Sequence, residues 1–322
     1  MANEGPEISV VIPTIHRPLL LARCLETILA GDFPDFEVVI VDQSTDDESR
    51  RVVSERFGRD SRVRYVHSAV TGAARARNLG LAESRGEVVV FLDDDVVSVS
   101  GLLRAYSTAF RMGGPAVGLV GGRILPDWDV AFPSWYPREL AFILGLYDIG
   151  MAPRDYPAGD TPPSANFAVR RAVAERLGGF DARLGYDAGR PNPLLAGEDV
   201  HFARKALGSG HAIRYEPGAE VHHRIGAYKL TPHFLLRRSY WEGRTFATLR
   251  RYGRAEGNNR SWIEMWKDSR RKRRKIAAGP RVPAQALRSR VMLSAALVAF
   301  AAGIVMEAAS RLVGRTGDLG PT

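Results

Sequence analysis

The first 125 residues alternate between two hydrophobic periodicities, and this alternation restricts the fold more than any other feature of the chain. Short runs rich in β-branched residues are separated by segments of about a dozen residues with leucine, isoleucine or alanine at helical spacing. The predicted strands are ISVVIPT, FEVVIVD, VRYVH, EVVVFLD and AVGLVGGRIL. Strands and helices in regular alternation are typical of βαβ units, which predicts an α/β fold with a mostly parallel central sheet.

Acidic residues stand at the carboxyl ends of two predicted strands. Asp42 closes FEVVIVD, and three consecutive aspartates, Asp93, Asp94 and Asp95, follow EVVVFL. Ligands of open α/β sheets bind beyond the carboxyl ends of the strands. We therefore expect both positions to face a ligand, and Asp42 to accept a hydrogen bond from a base N–H or a ribose hydroxyl. Capping of the following helix is the alternative for Asp42.

The aspartate triplet concentrates like charge, which a cation balances most simply. Mg²⁺ and Mn²⁺ take oxygen ligands, and such ions are held by one or two carboxylates together with substrate phosphates. Asp93 and Asp95 are expected to turn toward one point, while Asp94 faces away and supports the loop backbone or the sugar. The structural alternative is capping of the helix predicted over GLLRAYSTAFRM, for which a single oxygen suffices.

The segment GAARARNLG predicts a helix whose start attracts anions, because helix N-termini and arginines favour negative charge. Arg75 and Arg77 fall on different faces of this helix, so one of them is expected to reach a ligand. Arg77 together with Asn78 is favoured for that role. For either arginine taken alone, an ion pair at the surface is the alternative.

Two later motifs supply further candidates. GED places Glu198 and Asp199 in the first turn of a predicted helix, where they compensate the helix dipole or act as a general base beside a metal–phosphate site. EVHH supplies His222 and His223, and a neutral imidazole ligates divalent ions. Adjacent strand residues face opposite sides, so one of the two histidines is expected to point inward.

The pattern loosens between about Pro126 and Pro163, where proline and aromatic residues are frequent. This stretch is interpreted as an irregular insertion or acceptor-side lid, or equally as a packed surface loop. Order then returns as a strand and helix over SANFAVRRAVAERLGGF and a helix over GEDVHFARKALGSG. Strands are predicted over AIRYEP and AEVHHRI, followed by a helix from about Thr231 to Tyr252.

The net charge of +9 is unevenly distributed along the chain. Between Arg237 and Arg290 there are 17 Lys/Arg against 4 Asp/Glu, a local net charge of +13. This segment leads into VMLSAALVAFAAGIVM, whose uncharged length falls short of the roughly 20 residues that a spanning helix needs. Basic residues beside an apolar helix stay cytoplasmic and attract anionic lipids. Residues 267–310 are therefore expected to bind an anionic membrane surface, whether the helix spans, lies in the interface or packs on a partner.

The compartment is predicted from two smaller signals. Cys24 is the single cysteine, which excludes an intrachain disulfide framework and suits a reducing cytosol. The start MANEGPEISV has no basic region followed by an apolar run, so no signal peptide is predicted. We expect a cytoplasmic protein associated with the inner face of the cell membrane through its tail.

Taken in order, six motifs resemble those of the family 2 glycosyltransferases. They are SVVIPTIHRP, VVIVDQSTDDES, GAARARNLGLAESRGEVVVFLDDD, NFAVRRAVAERLGGFD, GEDVHFARKAL and VHHRI, and together they cover roughly residues 7–250. The resemblance implies the GT-A fold, a nucleotide-binding αβα sandwich, and an inverting sugar transfer from a nucleotide-sugar assisted by Mg²⁺ or Mn²⁺. It also implies a catalytic domain at 1–252, with a nucleotide-binding half (1–125) and an acceptor and catalytic half (126–252). A basic linker and hydrophobic helix would follow at 253–322.

The resemblance further implies a role for each site residue, carried over motif by motif. Asp199 would be the catalytic base that deprotonates the acceptor hydroxyl. A metal ion would be bound by Asp93, Asp95 and His223. The donor would be bound by Pro13, Thr14, Asp42, Arg77, Asn78, Asp93, Asp94 and Glu198. In this set Pro13, Thr14 and Asp42 would hold the base and ribose.

Two departures from the family pattern qualify these roles. DQSTDDES lacks the glycine that commonly follows the aspartate, which weakens the base-binding assignment of Asp42. The Gln-x-x-Arg-Trp motif of processive synthases is missing, which favours a single addition. The predicted function is transfer from a nucleotide-sugar, with a UDP-sugar favoured, to a lipid-linked or cell-envelope glycan at the cytoplasmic membrane face.

Three other functions are disfavoured by specific features. A sugar-nucleotide nucleotidyltransferase should carry a glycine-rich, lysine-containing loop after the first strand, and PTIHRPLLL has none. A nucleic-acid-binding protein could use the basic segment, which includes Trp262 and Trp266, but no nucleic-acid-binding motif accompanies it. No nucleic-acid partner is therefore expected. A non-catalytic sugar-nucleotide-binding relative would not need the complete set of acidic residues.

Overall fold

A nine-stranded sheet organises the part of the chain that the structure describes. The structure is a computed structural model and describes residues 5–187, 189–255 and 283–316. The strands are β1 (Ile8–Thr14), β2 (Phe36–Asp42), β3 (Val63–His67), β4 (Val88–Leu92), β5 (Val96–Ser98), β6 (Val117–Trp128), β7 (Arg154–Asp155), β8 (Asn166–Arg170) and β9 (Ala212–Ile225). Their order is β3-β2-β1-β4-β8-β6-β9-β5, and β7 pairs with β9.

The prediction of an α/β fold with a mostly parallel sheet is confirmed, and the sheet is mixed. β1 pairs in parallel with β2 and β4, and β2 pairs in parallel with β3. The pairs β4–β8, β6–β8, β5–β9 and β7–β9 are antiparallel. The parallel part therefore coincides with the strands that the alternating pattern predicted most clearly.

Eight α-helices complete the described elements. They are α1 (Pro18–Leu29), α2 (Glu48–Phe57), α3 (Ala73–Glu83), α4 (Leu102–Gly113), α5 (Arg171–Arg176), α6 (Glu198–Gly208), α7 (Pro232–Ala255) and α8 (Pro283–Thr316). Two 3₁₀ helices lie at Arg138–Leu144 and Ala227–Leu230.

The described chain divides into two compact units. The first comprises Met1–Asp127, Gly145–Pro193 and Glu198–Arg224, and the second comprises Trp128–Leu144, Leu194–Gly197 and Ile225–Thr322. The predicted division at residue 252 stays a prediction, although these units follow other bounds and place α7 and α8 together.

Burial on both faces explains the apolar runs of the central strands. Every residue of β2 and of β4 is buried, as expected for parallel strands covered by helices on both sides. Phe91 of β4 stacks on Phe167 of β8 with ring centroids 5.2 Å apart. Phe180 stacks in turn on Phe202 of α6 at 4.5 Å. This aromatic core holds the start of α6 near the end of β4.

A glycine lets α3 approach β1 closely. A Cβ atom added at Gly80 would lie 2.2 Å from Cγ1 of Val11, a distance that real side chains do not adopt. Gly80 is therefore required by the helix–strand contact and not by backbone conformation. The contact fixes α3 against the sheet, and Arg77 lies one turn earlier on the same helix.

The structure differs from the sequence prediction at three places. The aspartate triplet leads into β5, and α4 begins only at Leu102. The two strands predicted over AIRYEP and AEVHHRI are one continuous strand, β9, because Pro217 and Gly218 do not end it. The loosely patterned stretch after Pro126 continues β6 to Trp128 and then contains the first 3₁₀ helix and the two-residue β7.

One of the described helices is long and apolar enough to cross a membrane, judged by length and composition. The window is Leu287–Ser310 of α8, 24 residues with a mean hydropathy of 2.1. The basic run at 270–275, part of the segment predicted to attract anionic lipids, lies outside the described residues.

Candidate active site

The candidate site lies in the first unit, where three adjacent strands end at one edge of the sheet. Thr14 ends β1 and is paired in register with Asp42, which ends β2. β4 lies on the other side of β1 and ends at Leu92, so the aspartate triplet follows at the same edge. The prediction that these acidic residues meet at one edge thus agrees with the topology.

Asp94 points into the protein and is 4% exposed. Its carboxylate accepts hydrogen bonds from Thr14 Oγ1 at 2.7 Å and from Arg17 Nη1 at 3.0 Å. Burial raises the pKa of Asp94 to about 6, against the opposing charge of Arg17. Asp94 is thus shielded from solvent, and it ties the ends of β1 and β4 together. Its predicted contact with the donor stays a prediction.

Asp93 and Glu198 are joined by a buried arginine. Arg77 donates from Nη2 to Asp93 Oδ1 at 2.8 Å and from Nη1 to Glu198 Oε1 at 2.9 Å. Arg77 and Glu198 are each 4% exposed, whereas the Asp93 side chain is 31% exposed. A buried charge needs such pairing, because its desolvation is otherwise costly.

The two buried members of this group respond to each other's charge. Burial raises the pKa of Glu198, the charge of the neighbouring Asp199 adds to the rise and Arg77 opposes it, with a net pKa of about 7. Burial alone would lower the pKa of Arg77, but the surrounding carboxylates, Asp93 first, raise it above its ordinary value. Arg77 is therefore a fixed positive charge within the site.

Asp95 lies beside His223. Nε2 of His223 is 3.2 Å from Asp95 Oδ1, and both side chains are less than a tenth exposed. The β5–β9 pairing sets this contact, because Val96 is in register with His223 and the Arg224 N–H donates to the Asp95 carbonyl at 2.9 Å. His222 is 43% exposed and pairs with Glu220, so one histidine of the pair points inward, as the strand periodicity predicted.

A glycine provides room for the imidazole of His223. Gly145 has a φ of +76°, which is the left-handed region that favours glycine. A Cβ atom added there would lie 3.2 Å from Cε1 of the His223 ring. The backbone at Gly145 therefore packs directly on the ring and fixes its position beside Asp95.

The donor set fits a divalent ion only in part. Among the described residues, no group of three His, Cys, Asp or Glu side chains is arranged to hold a metal ion. The structure brings Asp95 and His223 together, while Asp93 is held by Arg77. A carboxylate and an imidazole are acceptable ligands for Mn²⁺ or Mg²⁺, and such ions take their remaining ligands from water and substrate phosphates. The chemistry of the pair is therefore compatible with a substrate-completed site.

Asp199 is held at the start of α6 by two backbone N–H groups. Its Oδ2 accepts from Ser164 N at 2.9 Å, and its Oδ1 accepts from Val200 N at 2.7 Å. The side chain remains partly exposed. This arrangement orients a proton acceptor within reach of solvent.

Other predicted donor-binding residues make contacts within the protein. The carboxylate of Asp42 is fully buried and accepts from Ser44 N, Ser44 Oγ and the Tyr65 hydroxyl. Asn78 exchanges two hydrogen bonds of 2.8 Å with the backbone of Phe180. Pro13 lies next to Thr14 in β1 and is partly buried. The predicted donor contacts of Asp42, Asn78 and Pro13 stay predictions.

The sequence did not single out Arg17, Gln43 or Asp187. Nη1 of Arg17 contacts Asp94 Oδ1 and lies 3.5 Å from Asp95 Oδ2. The position of Arg17 in the motif PTIHRP was a signal that could have been used. Gln43 Nε2 donates to the Val70 carbonyl at 2.6 Å and thus fixes the loop before α3. Asp187, almost fully buried, accepts from Arg75 Nη1 at 2.7 Å, although no periodicity marks it.

Comparison with known proteins identifies the family. The family model described as glycosyl transferase family 2 matches residues 9–178. A glucosyl-dolichyl phosphate glucuronosyltransferase of Haloferax volcanii is 26% identical over 239 residues, covering 74% of this chain and 75% of that protein. A GalNAc(5)-diNAcBac-PP-undecaprenol β-1,3-glucosyltransferase of Campylobacter jejuni is 35% identical over 100 residues, 30% of this chain and 32% of that protein.

A solved structure shares the fold. The mannosyltransferase PcManGT from Pyrobaculum calidifontis, in complex with GDP-Man and Mn²⁺, matches 98% of this chain and 81% of its own with a TM-score of 0.56 and 22% identity. At this identity the likeness establishes the GT-A fold. The family model matches more than half of the 322 residues, and the chain therefore belongs to glycosyl transferase family 2.

Proposed function

We propose that this glycosyltransferase moves one sugar, with inversion, from a nucleotide-sugar donor to the hydroxyl of a lipid-linked or cell-envelope glycan. A UDP-sugar is the favoured donor. The observation that carries the proposal is the convergence of Asp199, the Arg77–Glu198 pair and the Asp95–His223 pair at one edge of the sheet. The names of two relatives, which specify a dolichyl phosphate and an undecaprenol diphosphate, support a lipid-linked acceptor.

Asp199 is proposed to be the general base. As the acceptor oxygen attacks the anomeric carbon of the donor, its proton passes to a carboxylate oxygen of Asp199. The new carbon–oxygen bond forms on one face while the bond to the diphosphate breaks on the other, and the nucleoside diphosphate leaves with the electron pair. Two backbone N–H groups hold Asp199 so that little reorganisation is needed for this transfer.

Asp93, Asp95 and His223 are proposed to hold Mn²⁺ or Mg²⁺ together with donor phosphates. The Mn²⁺ in the mannosyltransferase structure supports a divalent ion. A bound divalent ion would supply neutralisation of the charge that develops on the leaving diphosphate. Arg77 balances the charge of Asp93 and Glu198, and its hydrogen bond to Asp93 Oδ1 fixes the orientation of that carboxylate.

The enzyme is proposed to work at the cytoplasmic face of a membrane, bound through residues 267–310. Two features support this placement. The segment Arg237–Arg290 has a net charge of +13, which attracts anionic lipids. The Leu287–Ser310 window is apolar and only 17% of it is buried in the protein.

Asp199→Asn tests the proposed function. A panel of UDP-, GDP- and dTDP-sugars is first screened with Mn²⁺ by thermal shift, and the stabilising donor is then used to measure hydrolysis and transfer. We expect kcat to fall by about 10²–10⁴-fold, because an amide cannot accept the acceptor's proton. The dissociation constant of the donor should be unchanged.

Asp47→Asn serves as the matched control, since Asp47 has 89% of its side chain exposed. This variant should retain full turnover. Turnover at the wild-type level in Asp199→Asn would refute the assignment of the base.

A further inference from the structure

An apolar stripe runs along the exposed face of α8. Leu287, Val291, Val298 and Val305 are 64%, 60%, 70% and 66% exposed. At about 100° per residue these four side chains fall within roughly 40° of one another around the helix axis. Ser294 lies on the same line and is also exposed. The stripe is about 27 Å long at 1.5 Å per residue, and it is wide enough only for a single row of side chains.

The opposite face of α8 is covered by α7 within the second unit. A Cβ atom at Gly243 of α7 would lie 2.0 Å from the Phe300 carbonyl oxygen, and one at Gly303 of α8 would lie 2.0 Å from the Tyr240 carbonyl oxygen. The two helix backbones are therefore in direct contact. The contact at Phe300 falls near the middle of the apolar window Leu287–Ser310.

The acidic residue of the window is neutralised by α7. Glu307 Oε2 accepts from Arg244 Nε at 3.0 Å and from Arg244 Nη2 at 2.7 Å, and Glu307 Oε1 accepts from Thr248 Oγ1 at 3.2 Å. The side chains of Arg244 and Glu307 are no more than 10% exposed. The ion pair is thus part of the buried contact between the helices.

The packing of α7 against α8 makes a transmembrane placement of α8 unfavourable. If the window crossed a bilayer, its middle would carry Gly243 and the neighbouring turns of α7 into the hydrocarbon. Those turns bear Arg237, Arg238 and Glu242, of which Arg237 is exposed. Arginine and glutamate at the centre of a bilayer are strongly disfavoured. A helix whose polar partner runs beside its middle is better suited to the membrane surface.

We propose that α8 lies along the surface of an anionic bilayer, with its apolar stripe inserted at the acyl boundary and α7 on the side away from the lipid. The proposal rests on the membrane association given under the proposed function and specifies its geometry. Arg288 and Arg290 are exposed and fall on either side of the stripe. Interfacial helices combine a buried apolar face with flanking basic residues that meet lipid headgroups.

Charge favours lipid over a second copy of the chain as the occupant of the stripe. The arginines that flank the stripe belong to a segment with a net charge of +13. Two such surfaces brought together would repel each other, whereas anionic headgroups would attract either one.

Val298→Asp and Val305→Asp in the full chain test the proposal. Binding is measured by co-sedimentation with vesicles of phosphatidylcholine alone and with vesicles that contain phosphatidylglycerol. We expect the wild type to prefer the anionic vesicles by at least about tenfold and to be released by high salt. Each substitution should lower this binding by about tenfold or more, because it places a charge at the acyl boundary. Val130→Asp, at a 46% exposed valine of the same unit, should bind as the wild type does.

Carbonate extraction of membranes from cells that express the full chain distinguishes the remaining outcomes. Extraction by alkaline carbonate is expected, since a surface-bound helix is released by it. Retention after carbonate treatment would overturn the surface geometry while leaving membrane association intact. Failure to bind any vesicle would refute both. A dimer that Val298→Asp dissociates, without vesicle binding, would assign the stripe to a second copy. Donor turnover in solution should be the same in all three variants.

Discussion

At the scale of the residue, the site is organised around a buried positive charge. Arg77 contacts Asp93 on one side and Glu198 on the other, so it links the end of β4 to the start of α6. A buried arginine is retained only where carboxylates compensate it. At least two of the acidic residues at the site, Asp93 and Glu198, therefore balance the charge of Arg77.

Glu198→Gln should change how stability depends on pH. The carboxyl of Glu198 has a raised pKa of about 7 in the folded protein, against an ordinary value of 4.5. Between these values the folded state binds the additional proton, so the free energy of unfolding falls as pH rises through this range. In the variant, the decrease in the free energy of unfolding over this pH range should be smaller than in the wild type by up to about 3 kcal/mol, since one pKa unit corresponds to about 1.4 kcal/mol. Urea unfolding at several values between pH 4.5 and 7.5 measures it.

Asp94 contributes to the same pH window, because its pKa is raised to about 6. The free energy of unfolding of Glu198→Gln should therefore still decrease as pH rises, but by less than that of the wild type. Glu55→Gln, at an exposed position of α2, is the matched control and should follow the wild type. A pH profile of Glu198→Gln parallel to that of the wild type would contradict the prediction.

Sequence reasoning named the candidate site residues but not the contacts that hold them. Asp93, Asp94, Asp95 and Asp199 were all identified from position and residue type. The pairing of Arg77 with Glu198 joins residues 121 positions apart, and no local pattern reports such a contact. The inward orientation of His223 was predictable in kind, because strand periodicity allows one of two adjacent histidines to face the core.

At the scale of the element, predictability follows the range of the interactions. The bounds of β1, β2 and β3 agree with the predicted segments. β1 and β2 are buried apolar runs between turn residues, whereas β3 is only partly buried and mixes apolar with polar residues. β5 was missed since its three residues form a strand only through pairing with β9. β9 itself was divided in two, because proline and glycine usually end strands. Both errors concern pairing between distant segments.

Gly80→Ala tests the packing of α3 on β1. The new methyl group would overlap Cγ1 of Val11, so the helix must shift or the valine must leave its rotamer. We expect the free energy of unfolding to fall by about 1–3 kcal/mol, as in other overpacked cores. Urea denaturation monitored by circular dichroism measures the change.

Gly208→Ala is the matched control for this substitution. Gly208 ends α6, and an added Cβ meets no atom within 4 Å. Alanine restricts the unfolded chain, so this variant should be stabilised by about 0.4–1 kcal/mol. Equal effects of the two substitutions would show that helix propensity, and not the contact with Val11, decides the outcome at Gly80.

At the scale of the whole molecule, the excess of positive charge and the long apolar helix both belong to the second unit. The resemblance to the family implied a catalytic domain to residue 252, followed by a basic linker and a hydrophobic helix, and this division stays a prediction. The structure groups α7 with α8, since the two helices share a backbone contact at Gly243 and an ion pair between Arg244 and Glu307. Composition reports solvent preference along the chain and carries no information on which helix packs on which.

Truncation to residues 1–282 should therefore damage more than membrane binding. Removing α8 uncovers Gly243, Arg244 and Thr248 of α7 and leaves the Arg244 guanidinium without Glu307. Loss of one partner from a buried ion pair costs about 3–5 kcal/mol. We expect faster trypsin cleavage within α7 and a lower melting temperature, both compared with a chain ending at residue 316. Glu307→Ala in the full chain should show the same faster cleavage and keeps the test open if the truncated chain cannot be purified. Cleavage and melting equal to those of the longer chain would mean that α8 is an independent tail.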